Sequence, residues 1–243
     1  MNTTEAKVAL LQYCRFARQM PYVATEVNIY ENIADVAASD GKNFVEYEIK
    51  ISLQDLLKDS EKHKHIVYDP TPITWNGDIG TKGKLKFELR QGLKTWQPDK
   101  WSAFLVSEEG EHNLTGWREH DTMAAAMEQV ESEYGSKKST PNTLYYVVPA
   151  WLWEKHQEKI EKSLHPSYGV ITGNSHNYHG LTVVKKAKKL HKNPIDENSL
   201  GTIVRRMSSE LATLTNMYYI QNKEFTDLGK RVDAKFDLEA EDE

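Results

Sequence analysis

Ile33-Ala34-Asp35-Val36-Ala37-Ala38, then Asp40-Gly41, then Val45-Glu46-Tyr47-Glu48-Ile49-Lys50-Ile51-Ser52, is the stretch that decides the fold. Two apolar runs flanking Asp-Gly predict a β-hairpin. Side chains alternate faces along a strand. Glu46, Glu48 and Lys50 therefore share one face, and Val45, Tyr47, Ile49 and Ile51 share the face a core requires. A turn centred on Asp40-Gly41 sets Asp35 opposite Glu46 and diagonal to Glu48. Ala34, Val36 and Ala38 then lie behind.

Such a hairpin gathers three carboxylates and one ammonium. Like charges facing each other in a sheet are destabilising, and Lys50 neutralises only one of them. A hard divalent cation with oxygen ligands would relieve the rest. The bland alternative is a solvated edge hairpin laced with salt bridges.

Working outward, residues Thr4–Met20 read as a helix ended by Pro21, followed by strands at Val23–Ile29, Ile33–Ala38 and Phe44–Ser52. Leu53–His65 reads as one charged helix. Residues 69–141 hold Pro70, Pro72 and Pro98, four glycines up to Gly92 and four of the six tryptophans. This stretch reads as an inserted subdomain of hairpins, with a helix over Thr122–Tyr134. Leu144–Val148 is a buried strand and Trp151–Leu164 an amphipathic helix. Gly169–Thr172 and Leu181–Lys186 are strands, and Leu200–Tyr219 is a long helix. Residues 223–243 read as an acidic, mobile tail.

The 243 residues carry 39% hydrophobic and 10% aromatic side chains, a globular composition. The longest apolar run, Leu144–Trp153, is about half of the roughly 20 residues a membrane span needs. One cysteine, Cys14, excludes an intrachain disulfide. With no secretory pattern at the N-terminus, these points predict a cytoplasmic protein. The net charge of −5 conceals a basic segment: Lys137–Lys192 holds ten lysines against three glutamates. Its densest part is Lys185, Lys186, Lys188 and Lys189, a run that suits phosphate better than bare solvent.

The pattern Glu26…Asp35…Glu48-Ile49-Lys50-Ile51-Ser52, then Asp55-Leu56, Asp59 and Lys62, resembles the PD-(D/E)xK nuclease superfamily, and within it the MmcB-type branch of small bacterial proteins linked to DNA repair. The later stretches Asn142–Ile160 and Tyr168–Leu190 are similar to that family's closing strands and helix. The likeness covers residues 1–68 and 142–192. It implies an α/β, restriction-endonuclease-like core (1–68 and 142–222): a mixed central sheet flanked by helices, interrupted by the insertion. It implies hydrolysis of phosphodiester bonds in DNA with Mg²⁺ or Mn²⁺, in a bacterial or phage setting, and is compatible with a homodimer. Asp35 and Glu48 would ligate the metal together with the Ile49 carbonyl. Lys50 would position the attacking water, and Glu26 would support the metal or its water. Ser52, Lys62 and the lysine run would meet nucleic acid. Two departures stand out: Glu46 has no standard role, and Ala34 replaces the usual proline. A non-catalytic nucleic-acid or protein-binding module on the same fold, and an RNase, remain alternatives.

His63 and His65 read as surface histidines, and the spacing of His176 and His179 lacks further zinc ligands. Trp75, Trp96, Trp101 and Trp117 suit a small core better than base stacking.

Overall fold

The computed structural model describes the chain except Tyr30, Glu31, Glu61, Pro70, Lys84, Thr95, Trp96, Glu108, Glu109, Trp117, Arg118, 135–139 and 241–243. The side chains of His63, Ile66 and 224–240 also lie outside the described residues. The chain opens with helix α1 (Thr3–Gln12), which continues as a wider π-helical turn over Tyr13–Ala17. Asn2 caps it: its side chain accepts from Glu5 N–H, and Glu5 accepts from Asn2 N–H.

Strands β1 (Tyr22–Ile29), β2 (Asn32–Ser39) and β3 (Phe44–Ile49) form an antiparallel meander. Strand β9 (Thr143–Pro149) lies parallel to β3, β10 (Gly169–Gly173) lies parallel to β9, and β11 (Leu181–Lys185) closes the sheet antiparallel. The result is a six-stranded mixed sheet, β1-β2-β3-β9-β10-β11. Strand β3 is central and buried on both faces.

On one face, Ala6, Leu10 and Cys14 of the N-terminal helix meet Val45, Tyr47, Ile49, Tyr145 and Val147. The other face carries two clusters. Helices α2 (Leu53–Ser60) and α5 (Ala150–Ser163) supply Leu56, Leu152 and Ile160 against Leu144, Tyr146 and Val148. Helix α6 (Glu197–Ala240) supplies Ile203 against Ala24, Val27, Ala37 and Phe44. Glu46 and Glu48 fall between these two clusters.

The hairpin register differs from the expectation. Val36 pairs with Tyr47 and Ala37 with Glu46, which brings Asp35 opposite Glu48 rather than Glu46. The turn is four residues long, not two. Asp40 Oδ1 accepts from the N–H groups of Lys42 (2.8 Å) and Asn43 (2.6 Å), and Gly41 takes φ +91°. The side chain of Asp40 thus organises an Asx-type loop. A shift by two residues preserves parity, so the acidic face survives. Ile51 lies beyond the strand and is exposed.

The single helix expected over Leu53–His65 is two. Lys62 is extended (ψ 145°) and starts a separate helix α3 (His63–Tyr68). Between α3 and β9 stands a second, five-stranded antiparallel sheet: β4 (Thr74–Asn76), β5 (Ile79–Lys82), β6 (Leu85–Gln91), β7 (Trp101–Ser107) and β8 (Gly110–Asn113). Helix α4 (Met123–Tyr134) covers it, with Ala126, Val130 and Tyr134 on Ile73, Phe87, Leu89 and Ala103.

Candidate active site

Strand alternation directs Glu46 and Glu48 from β3 under α2 and α3, where both are buried. Lys50 follows just past the strand end and is buried beside them, its N–H held by the Val147 carbonyl. Its ammonium contacts Glu48 Oε2 at 2.8 Å and Asp59 Oδ1 at 3.2 Å. Asp35 on β2 accepts from Ile49 N–H at 2.8 Å and is only partly buried. The structure therefore unites Asp35, Glu48, Ile49 and Lys50.

The expectation that these acids lack a second counter-charge is corrected by α3. Lys64 is buried, and its Nζ lies 3.1 Å from Glu46 Oε1 and 2.5 Å from Glu48 Oε1. The break at Lys62 is what turns Lys64 inward. Glu46, the acid without a standard role, also accepts from Tyr68 Oη at 2.8 Å. Asp59 is the second hub. It takes Lys50, Lys62 (2.5 Å) and Tyr146 Oη (2.7 Å).

His65 is not a surface residue as expected. It is buried, with Nε2 at 3.3 Å from Asp59 and Nδ1 at 3.0 Å from Tyr168 Oη. One neutral tautomer, with the proton on Nε2, satisfies both contacts. Burial holds its pKa below the ordinary value, in keeping with the neutral ring.

Charge sets the protonation pattern. Burial, opposed by Lys64, pushes Glu46 up to about 7. Burial also pushes on Glu48, but Lys64 and Lys50 outweigh it and hold that carboxyl low. Asp35 is raised by burial and by the Glu48 charge, against the Ile49 N–H. For Asp59, His65, Lys62, Lys64 and Lys50 outweigh burial and depress the pKa strongly.

Other expected residues have different surroundings. Glu26 is exposed at φ +50° within β1, tied to Lys7 (2.7 Å) and Arg206 (3.5 Å). Lys7 also acts on Asp35 through its charge, so it links the two acids. Ser52 caps α2, its Oγ accepting from Asp55 N–H. Lys62 is largely exposed, with its Nζ on Asp59. Lys185 ends the edge strand β11. Lys186, Lys188 and Lys189 follow it, exposed, and Lys189 donates to Asn43 Oδ1 at 2.9 Å.

Trp75 and Trp101 pack on the core of the second sheet, whereas Trp96 and Trp117 lie outside the described residues. Lys86 and Arg90 are bonded to Glu88, and Arg90 also to Glu111, so these bases meet acids of their own sheet.

Sequence reasoning missed Lys64, His65, Tyr68, Tyr146 and Tyr168. The strand Leu144–Val148 carries two tyrosines on opposite faces, and the hydroxyl of Tyr146, on the face of Leu144 and Val148, was the available signal. A cleft of about 370 Å³ runs along the far side of His65, between the two sheets, lined by Lys62, Lys82, His165 and Tyr168 among others.

Two carboxylates from paired strands and a main-chain carbonyl form a hard oxygen donor set. Each carboxylate oxygen offers more than one lone pair, so the lysines on Glu48 leave it capacity for a cation, and the donor chemistry fits Mg²⁺ or Mn²⁺. Among the described residues, no group of three or more His, Cys, Asp or Glu side chains is placed to hold a metal, and no helix is long and apolar enough to cross a membrane. No family model matches the chain, and neither a curated protein nor a solved structure matches it.

Proposed function

We propose that this chain is a metal-dependent phosphodiester hydrolase acting on DNA, with a restriction-endonuclease-like core. The observation that carries this reading is the juxtaposition of Asp35 and Glu48 across one hairpin with Lys50 bonded to Glu48. Asp35, Glu48 and the Ile49 carbonyl would hold Mg²⁺ or Mn²⁺. The ion, when bound, supplies Lewis acidity and lowers the pKa of a coordinated water.

The chain's own groups do the rest. Asp59 holds the Lys50 ammonium on the acidic face, so the lysine is oriented before substrate arrives. That ammonium stabilises negative charge developing on the phosphate. Glu46, with a pKa of about 7, can take or release a proton near neutrality. Lys62 and the Lys185–Lys189 run supply phosphate contacts without base information.

One observation favours a second reading, a binding module that does not cut. Both Glu48 oxygens carry an ammonium, and Lys64 occupies the place where a divalent cation would relieve Glu46 and Glu48. Incubating the protein with supercoiled plasmid, single-stranded DNA and RNA, with and without Mn²⁺, separates the readings. Mn²⁺-dependent DNA cleavage lost in Lys50→Ala supports the hydrolase. Cleavage of RNA alone supports the RNase alternative. Retention of every substrate uncut, with DNA bound, supports the module.

A further inference from the structure

Among the described residues, helix α6 is docked on its own sheet at its start. Ile203 and Met207 pack against β1 and β2, Arg206 Nε donates to the Thr25 carbonyl at 2.9 Å, and Glu210 accepts from Thr25 N–H at 2.9 Å. Beyond Glu210 the apolar side of the helix is exposed among the described residues. Leu211, Leu214 and Tyr218 are 66%, 63% and 68% exposed, and Met217, Tyr219 and Ile220 are exposed as well. Contiguous exposed apolar surface of this kind marks an interaction site.

Its spacing identifies the type. Val204, Met207, Leu211, Leu214, Tyr218 and Gln221 follow at alternating steps of three and four, and in sequence Phe225, Leu228 and Val232 continue the series. That is a heptad seam with one polar position, the pattern of a helix that pairs with another helix. A second unpartnered feature adjoins it. A groove of about 450 Å³ runs between the N-terminal helix and α6, lined by Leu11, Phe16, Val23, Met207, Leu211 and Leu214 among others; Phe16 is 64% exposed.

We propose that α6 pairs antiparallel with α6 of a second copy of the chain, so that the far half of each helix fills the groove on the other copy. The backbone of α6 is helical without interruption from Glu197 to Ala240, so its far half does not turn back into its own groove. From Leu211 onward it extends roughly 45 Å. An antiparallel register that sets Tyr218 beside Gln221 brings Leu228 of the second copy to Leu211, Phe225 to Leu214 and Val232 to Met207. Those three receiving residues are the apolar ones among the five that α6 contributes to the groove wall, the others being Ser208 and Glu210.

The same register places Arg231 of one copy near Glu210 of the other, at positions that flank the seam. It also opposes the two helix dipoles. A parallel pair would stack Tyr218 on Tyr218 and Gln221 on Gln221 and leave both grooves empty. The proposal is independent of the hydrolase reading.

The test is the mass of the full chain in solution, by sedimentation at micromolar concentration, joined to site-specific disulfide trapping. The expected mass is twice 27.9 kDa, falling to 27.9 kDa in Leu211→Glu/Leu214→Glu with the thermal transition of the body retained. Both leucines are exposed in a single copy, so the body does not depend on them. Cys14 is buried and leaves introduced thiols as the reactive ones. Leu211→Cys chains mixed with Leu228→Cys chains should form the mixed disulfide. A monomeric wild type, or a double variant that stays dimeric, overturns the proposal. Efficient trapping of Leu211→Cys with itself overturns the antiparallel arrangement.

Discussion

Lys50 is buried and held by Glu48 and Asp59, and its removal has two separable consequences. Truncating one partner of a buried ion pair costs about 3–5 kcal/mol, since the remaining charges lose compensation. Lys50→Ala should therefore lower the unfolding midpoint in denaturant as well as end cleavage; Lys50→Met, which keeps the bulk, should recover packing but not activity. Comparable cleavage by folded Lys50→Met and wild type would remove Lys50 from the chemistry.

Glu46 makes a prediction of opposite character. Its folded-state pKa, about 7, lies above the ordinary 4.5, so its protonated form is favoured by folding. The associated stability is fully present below about pH 4.5 and is lost as pH rises through about 7. Glu46→Gln should match the wild type at the acid end of that window and exceed it above. Thermal unfolding across a pH series reads the difference, and parallel curves for the two proteins would show that Glu46 does not titrate in this window. Glu48 and Asp59 are depressed instead, so their contribution disappears only as pH falls further.

At the scale of elements, α3 decides how the acidic face is neutralised. It carries Lys64 to Glu46 and Glu48, and His65 to Asp59. If that ammonium stands where a divalent cation competes, Lys64→Met should bind Mn²⁺ more tightly than wild type, while Asp35→Asn and Glu48→Gln should bind it more weakly. Calorimetric titration measures all three, and equal affinities throughout would dismiss both carboxylates as ligands. The edge strand β11 and the residues after it bear the lysine run. Replacing Lys185, Lys186, Lys188 and Lys189 with Gln should weaken binding to all DNA sequences alike and flatten the salt dependence, because fewer counterions are released. A salt slope equal to that of wild type would make the run ordinary solvated surface. In the second sheet, Gly80 lets the Trp75 ring lie on β5. A Cβ there would meet ring atoms at 2.7 Å. Gly80→Ala should cost about 1–3 kcal/mol of that sheet's stability by overpacking, seen in unfolding followed by tryptophan fluorescence.

For the whole molecule, alternation and helical spacing were enough to place individual strands and helices, the family resemblance implied that they form a mixed sheet flanked by helices, and the parity of β3 placed Glu46, Glu48 and Lys50 on one face. Local chemistry governs such features: side-chain alternation is a property of the strand itself. The hairpin register was off by two residues because the side chain of Asp40 lengthened the turn, a hydrogen-bond detail that the Asp-Gly pair does not specify. The partner of the acidic face was illegible for a different reason. Lys64 and His65 read as solvated residues of one charged helix, and only the break at Lys62, together with the packing of Tyr68, Tyr146 and Tyr168 around them, turns them into the interior. Burial of a charge is settled by which groups meet it across the fold, and those groups come from β3, β9 and α3, far apart in the chain. Strand alternation was enough to gather the acids and Lys50 on one face; that a second lysine, Lys64, rather than solvent stands against them follows from how α3 packs on β3.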